Sequence, residues 1–245
     1  MIDTPPNATP LIRKLESILV LSEDEKDVLR NVSGTIKTVG PRQDLVREGD
    51  RPAECCLVLE GFVYRYKLTE EGKRQIFSFH IPGDIPDLQS LHIDVMDHSL
   101  GTLSPCKVMY VPHEIVCDLM RRCPRIGDAF WRDTLIDAAV FREWILSLGR
   151  REAYGRMAHL LCEFYVRLRA VGLTNGDVCD MPFTQVELAD ATGVTNVHAN
   201  RILQELRGEG LITLRAGSLT VLDWERLKEA GEFDPAYLHL KKAAA

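Results

Sequence analysis

The residues with the clearest chemical use sit close together in the last third of the chain. Thr195-Asn196-Val197-His198, followed by Asn200-Arg201, sets hydroxyl, amide, imidazole and guanidinium groups within two helical turns. Arginine presents a planar donor fork that fits the O6/N7 edge of guanine. Asparagine presents the donor–acceptor pair that fits adenine. These groups read bases if one helix face carries them. A second concentration is the segment His80–Gly101, which carries Asp84, Asp87, Asp94 and Asp97 among His80, His92 and His98. Its composition suits an acidic surface flap or, alternatively, an effector or metal site. No nucleophile–base–orienter set, glycine-rich phosphate loop or metal-spaced cluster is visible, so catalysis is not expected.

The base-reading group needs a scaffold, and the flanking residues supply one. Thr184 precedes Glu187 by three, the spacing of a capping box that opens a helix. Val186, Leu188, Ala189 and Ala191 give that helix an apolar side, and Gly193 allows a tight turn. Thr195 caps a second helix from Asn196 to about Arg207, with Ala199, Ile202, Leu203 and Leu206 facing inward. Small residues at Ala189 and Ala199 let the two helices cross closely. Thr184–Leu206 therefore reads as a helix-turn-helix, whose second helix enters the major groove. A β-hairpin follows, Leu211–Leu214 and Leu219–Leu222 around Arg215-Ala216-Gly217-Ser218, which makes the unit a winged helix. The expected DNA contacts are Thr184, Thr195, Asn196, Val197, His198, Asn200 and Arg201, with Arg215 of the wing on phosphate.

Upstream, residues 33–111 alternate short apolar runs with glycine and acidic turns, the texture of a β jelly roll. Pro124 can open a long helix over residues 124–149. In it Phe130, Thr134, Asp137, Phe141, Trp144 and Leu148 recur at spacings of four and three, a seam suited to a second copy of the helix. Asp137 is the anomaly in that seam, because a buried carboxylate needs a partner or a proton. The expected fold is α+β. Residues 11–149 form a jelly roll with the dimerisation helix, and residues 150–240 form the winged helix-turn-helix. Residues 1–10, polar and proline-rich, are expected to be a loose tail.

Bulk properties agree. The chain has 245 residues, 45% hydrophobic and 27% charged, with a net charge of -6. DNA affinity requires only a local basic patch, so the acidic total does not oppose it. No apolar run spans a bilayer and no secretory pattern is visible, so a cytoplasmic location is expected. The seven cysteines are scattered without a C-x-x-C pair and read as buried small hydrophobes or inert thiols.

The chain resembles the Crp/Fnr superfamily of bacterial transcription regulators from about Leu15 to Trp224. Three segments carry the resemblance: Val46-Arg47-Glu48-Gly49-Asp50 with Leu57-Val58-Leu59-Glu60-Gly61; Glu71–Ile76 running into Pro82-Gly83-Asp84; and the helix-turn-helix with Arg201 and Leu206–Ile212. The resemblance implies a cyclic-nucleotide-binding-like jelly roll, a homodimer on a pseudo-palindromic DNA site, and RNA polymerase as a further partner. It also directs attention to Asp87, Gln89, Ser90, His98, Ser99 and Asp137 as the effector region. Members that bind cyclic AMP carry a glutamate for the ribose and an arginine for the phosphate. Here Asp87 stands in for the first and His98 for the second, and Pro86 removes a backbone donor. A largely neutral imidazole beside Asp97 clamps phosphate poorly compared with a guanidinium. Cyclic AMP is therefore not an expected effector, and no cofactor is assigned. An iron–sulfur centre is not expected, since no cysteine precedes Cys55. A haem ligand at His80, Cys55 or Cys56 is a weaker alternative to a structural role. Val197 occupies the place where many relatives have a glutamate, so a different half-site is expected. A competing reading is a small-ligand signalling module whose winged helix makes protein contacts.

Overall fold

A computed structural model describes residues 8–241. The expected tail thus lies mostly outside the described residues. Thr9 and Pro10 already belong to α1 (Thr9–Glu16), where the proline fits the first turn. The described residues divide into two compact units: residues 8–67, 79–137 and 241, and residues 68–78 with 138–240. The boundary expected near Gly149 falls inside the second of these.

In the first unit, α2 (Glu23–Arg30) opens with the capping box of Ser22 and Glu25. The barrel strands are β1 (Thr35–Val39), β2 (Asp44–Val46), β3 (Glu54–Glu60), β4 (Val63–Leu68), β5 (Arg74–His80), β6 (Ser99–Thr102) and β7 (Cys106–Pro112). They form two sheets, ordered β1-β7-β3 and β2-β6-β4-β5. The pairs are antiparallel, with Leu57 opposite Met109 and Arg65 opposite Leu100. Val46, Cys56, Val58, Val63, Met96, Leu100, Cys106 and Val108 cluster as a barrel core. Then come α3 (His113–Arg122) and α4 (Pro124–Arg150).

The β3–β4 turn depends on Gly61, at φ +85. A Cβ there would meet the Pro105 carbonyl oxygen at 2.4 Å and Cys106 Sγ at 2.7 Å. The left-handed backbone alone costs about 1–2 kcal/mol for a residue other than glycine, and the steric overlap adds to it. Gly61→Ala will therefore lower the denaturant midpoint by more than the backbone cost alone. An unchanged midpoint would contradict this account of the turn.

The second unit contains α5 (Ala153–Ala170), α6 (Gln185–Thr192), α7 (Asn196–Gly208) and α8 (Trp224–Ala230). Its sheet has β8 (Thr174–Asn175), β9 (Val178–Asp180), β10 (Ile212–Arg215) and β11 (Ser218–Val221) in the order β10-β11-β9-β8. The expected hairpin is β10–β11. The turn at 174–177 proves to join two further short strands, since β9 pairs with β11 through Leu219 opposite Cys179. Strands this short have no readable period, and only their pairing partner defines them. Among the described residues no helix is long and apolar enough to cross a membrane.

Candidate nucleic-acid interface and barrel interior

The helix-turn-helix assembles from the local signals already named. Thr184 caps α6 and its backbone N–H donates to Glu187 Oε2 at 2.7 Å, closing the capping box. Gly193 takes φ +65 and ends α6 in the left-handed region. Thr195 caps α7, accepting from the His198 N–H at 3.3 Å. Ala199, Ile202, Leu203 and Leu206 are buried and anchor α7, while Asn196 and Arg201 are exposed and Val197 is 82% exposed. Arg215 is exposed where β10 meets the wing turn. The N-terminal end of α7 adds unsatisfied N–H donors and a partial positive charge, both favourable to phosphate.

Two positions differ from their sequence reading in detail. The Thr184 hydroxyl is engaged with the Glu187 carboxylate, so its side chain serves the cap first. Asn200 donates through Nδ2 to Gln185 Oε1 at 2.8 Å. Gln185 was not legible as a site residue, because the contact joins two helices whose crossing only the fold defines.

The barrel interior holds a larger polar surprise. Arg65 on β4 is buried. Its Nε donates to the Pro86 carbonyl at 2.8 Å, NH2 donates to the same oxygen, and NH1 pairs with Asp137 of α4. Asp137 thus has the partner its sequence context required. Of the other effector-region residues, Asp87 is fully buried and accepts through Oδ1 from the Cys56 N–H at 2.7 Å. Gln89 Nε2 lies 3.5 Å from His98 Nε2, and His98 Nδ1 lies 2.7 Å from Asp97 Oδ1. Ser99 Oγ accepts from the Glu48 N–H at 3.0 Å. Ser90 bonds to His113 Nε2 at 2.9 Å, with Cys55 Sγ 3.9 Å away, in a separate group. Arg65 itself was missed, because a lone arginine on an alternating strand reads as solvent-facing.

Burial moves two titrations in opposite directions. Desolvation pushes Asp87 up to about 6. Desolvation, aided by the Arg65 charge, pushes His80 down to about 4, against the pull of Asp84, whose Oδ2 is 3.3 Å from its Nδ1, and of Asp137. Between about pH 4 and 6 the folded state holds the Asp87 proton more tightly than the unfolded chain, so that term loses stability as pH rises. Over the same window folded His80 binds its proton less tightly, so its term gains stability as pH rises. The two are of similar size, each roughly 3 kcal/mol. Asp87→Asn will leave a stability that climbs from pH 4 to 6.5, and His80→Gln one that falls from pH 4 to 6. Equal slopes in urea titrations of the two variants would refute the assignment.

The six residues expected to form a seam on α4 do not share one exposed face, since Thr134 is exposed and Phe130 and Trp144 are buried. Phe130 and Trp144 are only 3% and 7% exposed and pack inside their own chain. Trp144 Nε1 donates to Glu163 Oε2 at 3.1 Å, and the Phe141 ring lies 6.0 Å from Phe77. The exposed large apolar residues of α4 are Trp131 (64%), Leu135 (51%), Ile145 (71%) and Leu146 (47%). Heptad spacing gives several parallel stripes, and nothing in the period says which one the chain itself covers.

Cys55 and Cys56 are buried, and desolvation raises both thiols far above their usual range. Neither presents a thiolate, and His80 is hydrogen-bonded within the barrel, so none of the three is arranged as a haem ligand. No group of three or more metal-binding side chains occurs among the described residues.

A winged helix-turn-helix whose second helix exposes a polar face, in a chain that also carries a two-sheet barrel, defines a DNA-binding regulator. A model of the Crp-like helix-turn-helix domain matches residues 155–230, and one of the cyclic nucleotide-binding domain matches residues 36–123. The transcriptional activator protein FnrL of Cereibacter sphaeroides is 30% identical over 198 residues, covering 78% of each chain. The fumarate and nitrate reduction regulatory protein of Vibrio cholerae is 24% identical, covering 85% of this chain and 83% of its own. The structure of FixK2 from Bradyrhizobium japonicum shares the fold, with a TM-score of 0.72 at 22% identity, over 86% of this chain and 99% of that one. The chain belongs to the Crp/Fnr family and is a DNA-binding transcription regulator of that type. Regulators of this family bind DNA and act as dimers, and they are transcription factors rather than enzymes.

Proposed function

We propose that this protein is a homodimeric, sequence-specific regulator that does not respond to cyclic AMP. The observation that carries the DNA reading is the face of α7, where Arg201 is exposed beside Asn196 and the 82%-exposed Val197 on a helix whose other face is locked in the core. In this reading Arg201 takes guanine, Asn200 takes adenine while braced by Gln185, and Val197 meets a thymine methyl. Thr184, Thr195, His198 and Arg215 hold phosphates and set the register. The dimer forms along Trp131, Leu135 and Ile145, and RNA polymerase is the downstream partner, as the activator name of one relative suggests.

Selection from a random DNA pool tests the α7 assignment. Arg201→Ala will weaken the selected site by about 1–3 kcal/mol per half-site, roughly 5- to 150-fold, and will remove the preference for guanine at one position. Val197→Glu will introduce a preference for cytosine where the parent prefers thymine. An unaltered sequence preference in both variants would favour the protein-contact reading of the winged helix.

The cyclic AMP reading rests on charge. His98 stands where relatives carry the phosphate arginine, and burial lowers its proton affinity. The guanidinium inside the barrel, Arg65, is already neutralised by Asp137. Calorimetry should detect no micromolar binding of cyclic AMP.

A further inference from the structure

A pair of side-chain amides joins α6 to α7 outside their packed core. Asn200 of α7 donates through Nδ2 to Gln185 Oε1 at 2.8 Å. Gln185 is the first residue of α6, directly after the Thr184 cap, and it is exposed. Asn200 is half-buried, next in sequence to the exposed Arg201. The two backbones are not free to separate. Thr184 and Glu187 lock the first turn of α6. Leu188 and Ala189 on α6, and Ala199, Ile202 and Leu203 on α7, are buried, and the two helices pack on one another. Among the described residues neither side-chain amide has a further hydrogen-bond partner. The rest of each amide is therefore left for whatever meets this surface.

An asparagine amide carries two Nδ2 hydrogens and one carbonyl oxygen. Adenine shows the acceptor N7 beside the N6 amino donor, whereas guanine shows two acceptors, N7 and O6. An unrestrained asparagine can meet either purine, with one hydrogen and its oxygen for adenine or with both hydrogens for guanine. Once Gln185 holds one of those hydrogens, a single hydrogen and the oxygen remain, which is the adenine pattern alone. Against guanine the Asn200 oxygen would face O6, two acceptors with no proton between them. Turning the amide to avoid this would leave Gln185 Oε1 without its donor. In the free protein an exposed amide pair contributes little, but where DNA excludes water the bond strengthens and an unpaired acceptor becomes costly. Resting on the reading of α7 as the DNA-facing helix, we propose that Gln185 is the positioning residue that excludes guanine at the Asn200 position. It touches no base. By holding one hydrogen of Asn200 it turns a purine reader into an adenine reader, a specificity that comes from penalising the wrong partner.

The test uses the full-length chain. Selection from a random DNA pool gives the preferred site, and the position whose preference Asn200→Ala removes is the Asn200 position. Competition between duplexes that differ only there, adenine against guanine, then gives the ratio. In the parent adenine will lead by roughly 5- to 150-fold. Gln185→Met keeps the side-chain length without the carbonyl oxygen, and the ratio will fall by about fivefold or more as guanine becomes acceptable. Gln185→Glu keeps an acceptor and will retain the ratio, while its charge weakens binding to every duplex alike, most at low salt. The double variant Q185M/N200A will match Asn200→Ala at this position. A merely structural role for Gln185 would lower affinity for all duplexes and leave the ratio untouched. The proposal is overturned if Gln185→Met keeps the parental ratio, if Gln185→Glu loses it as fully as Gln185→Met does, if Asn200→Ala alters no position, or if the preferred base there is not adenine. The guanine assigned to Arg201 separates the two failures. If it persists in the parent and the Gln185 variants while one of these outcomes occurs, the brace alone is wrong and α7 still reads DNA. A parent that enriches no sequence overturns both.

Discussion

Replacing Asp137 with leucine will destabilise the protein by about 3–5 kcal/mol, the usual loss when one partner of a buried ion pair is removed. Replacing Arg65 with leucine will cost less, although the same pair is broken. The asymmetry follows from where each charge is left. Without Asp137, the Arg65 guanidinium stays buried in the barrel without its carboxylate counter-charge from α4. Without Arg65, the Asp137 side chain, 28% exposed, turns to water. The double variant R65L/D137L will recover most of the loss, because well-packed apolar residues replace a buried pair at little or no cost. For a chain of this size each kcal/mol moves the thermal midpoint by roughly 2–4 °C, so the three variants separate clearly in a melting experiment. Equal losses for the two single variants, or a double variant worse than both, would show that the pair is not a buried charge couple.

Leu135→Glu will dissociate the dimer while leaving the protomer folded. Leu135 is 51% exposed, so a charge there costs the isolated chain little. Across a two-fold axis the same position occurs twice. Removing two leucines from an apolar interface forfeits about 1.5–3 kcal/mol each. The dimer dissociation constant then rises by roughly 10²–10⁴-fold, before the repulsion of the two carboxylates is added. Sedimentation at micromolar concentration will show monomers, and affinity for a two-half-site DNA will fall with it, since one recognition helix can engage only one half-site. Phe130→Glu is the informative contrast. Phe130 is 3% exposed, so that variant will unfold rather than dissociate. If L135E remains a dimer and F130E yields a folded monomer, the seam lies where its heptad phase was first expected and not on the exposed stripe.

The parts of this protein that could be read without coordinates are those written in contiguous residues. The capping boxes at Ser22 and Thr184, the glycine turn at Gly193 and the Thr195 cap are short-range rules, and each appears as its spacing requires. The apolar run of β3 and the apolar face of α7 likewise need only neighbours within a turn or a strand. The helix-turn-helix, the wing and the two-sheet barrel follow from them, and so does the outward set Asn196, Val197 and Arg201.

What the tertiary structure decided is which of several equivalent faces met something. On α4 the stripe through Phe130 and the stripe through Trp131 have the same period, and only packing against the rest of the chain distinguishes them. Arg65 alternates with Tyr64 and Tyr66 on one strand, and no local rule says that its face closes into a barrel. Its partner Asp137 is 72 residues further on. The carboxylate's need for a counter-charge was legible from Asp137 alone, whereas the identity of that counter-charge was not. Spacing fixes what one element presents, and the closure of elements on one another fixes what that presentation finds. The outward face of α7 therefore belongs to the sequence. The charge at the centre of the barrel belongs to the fold.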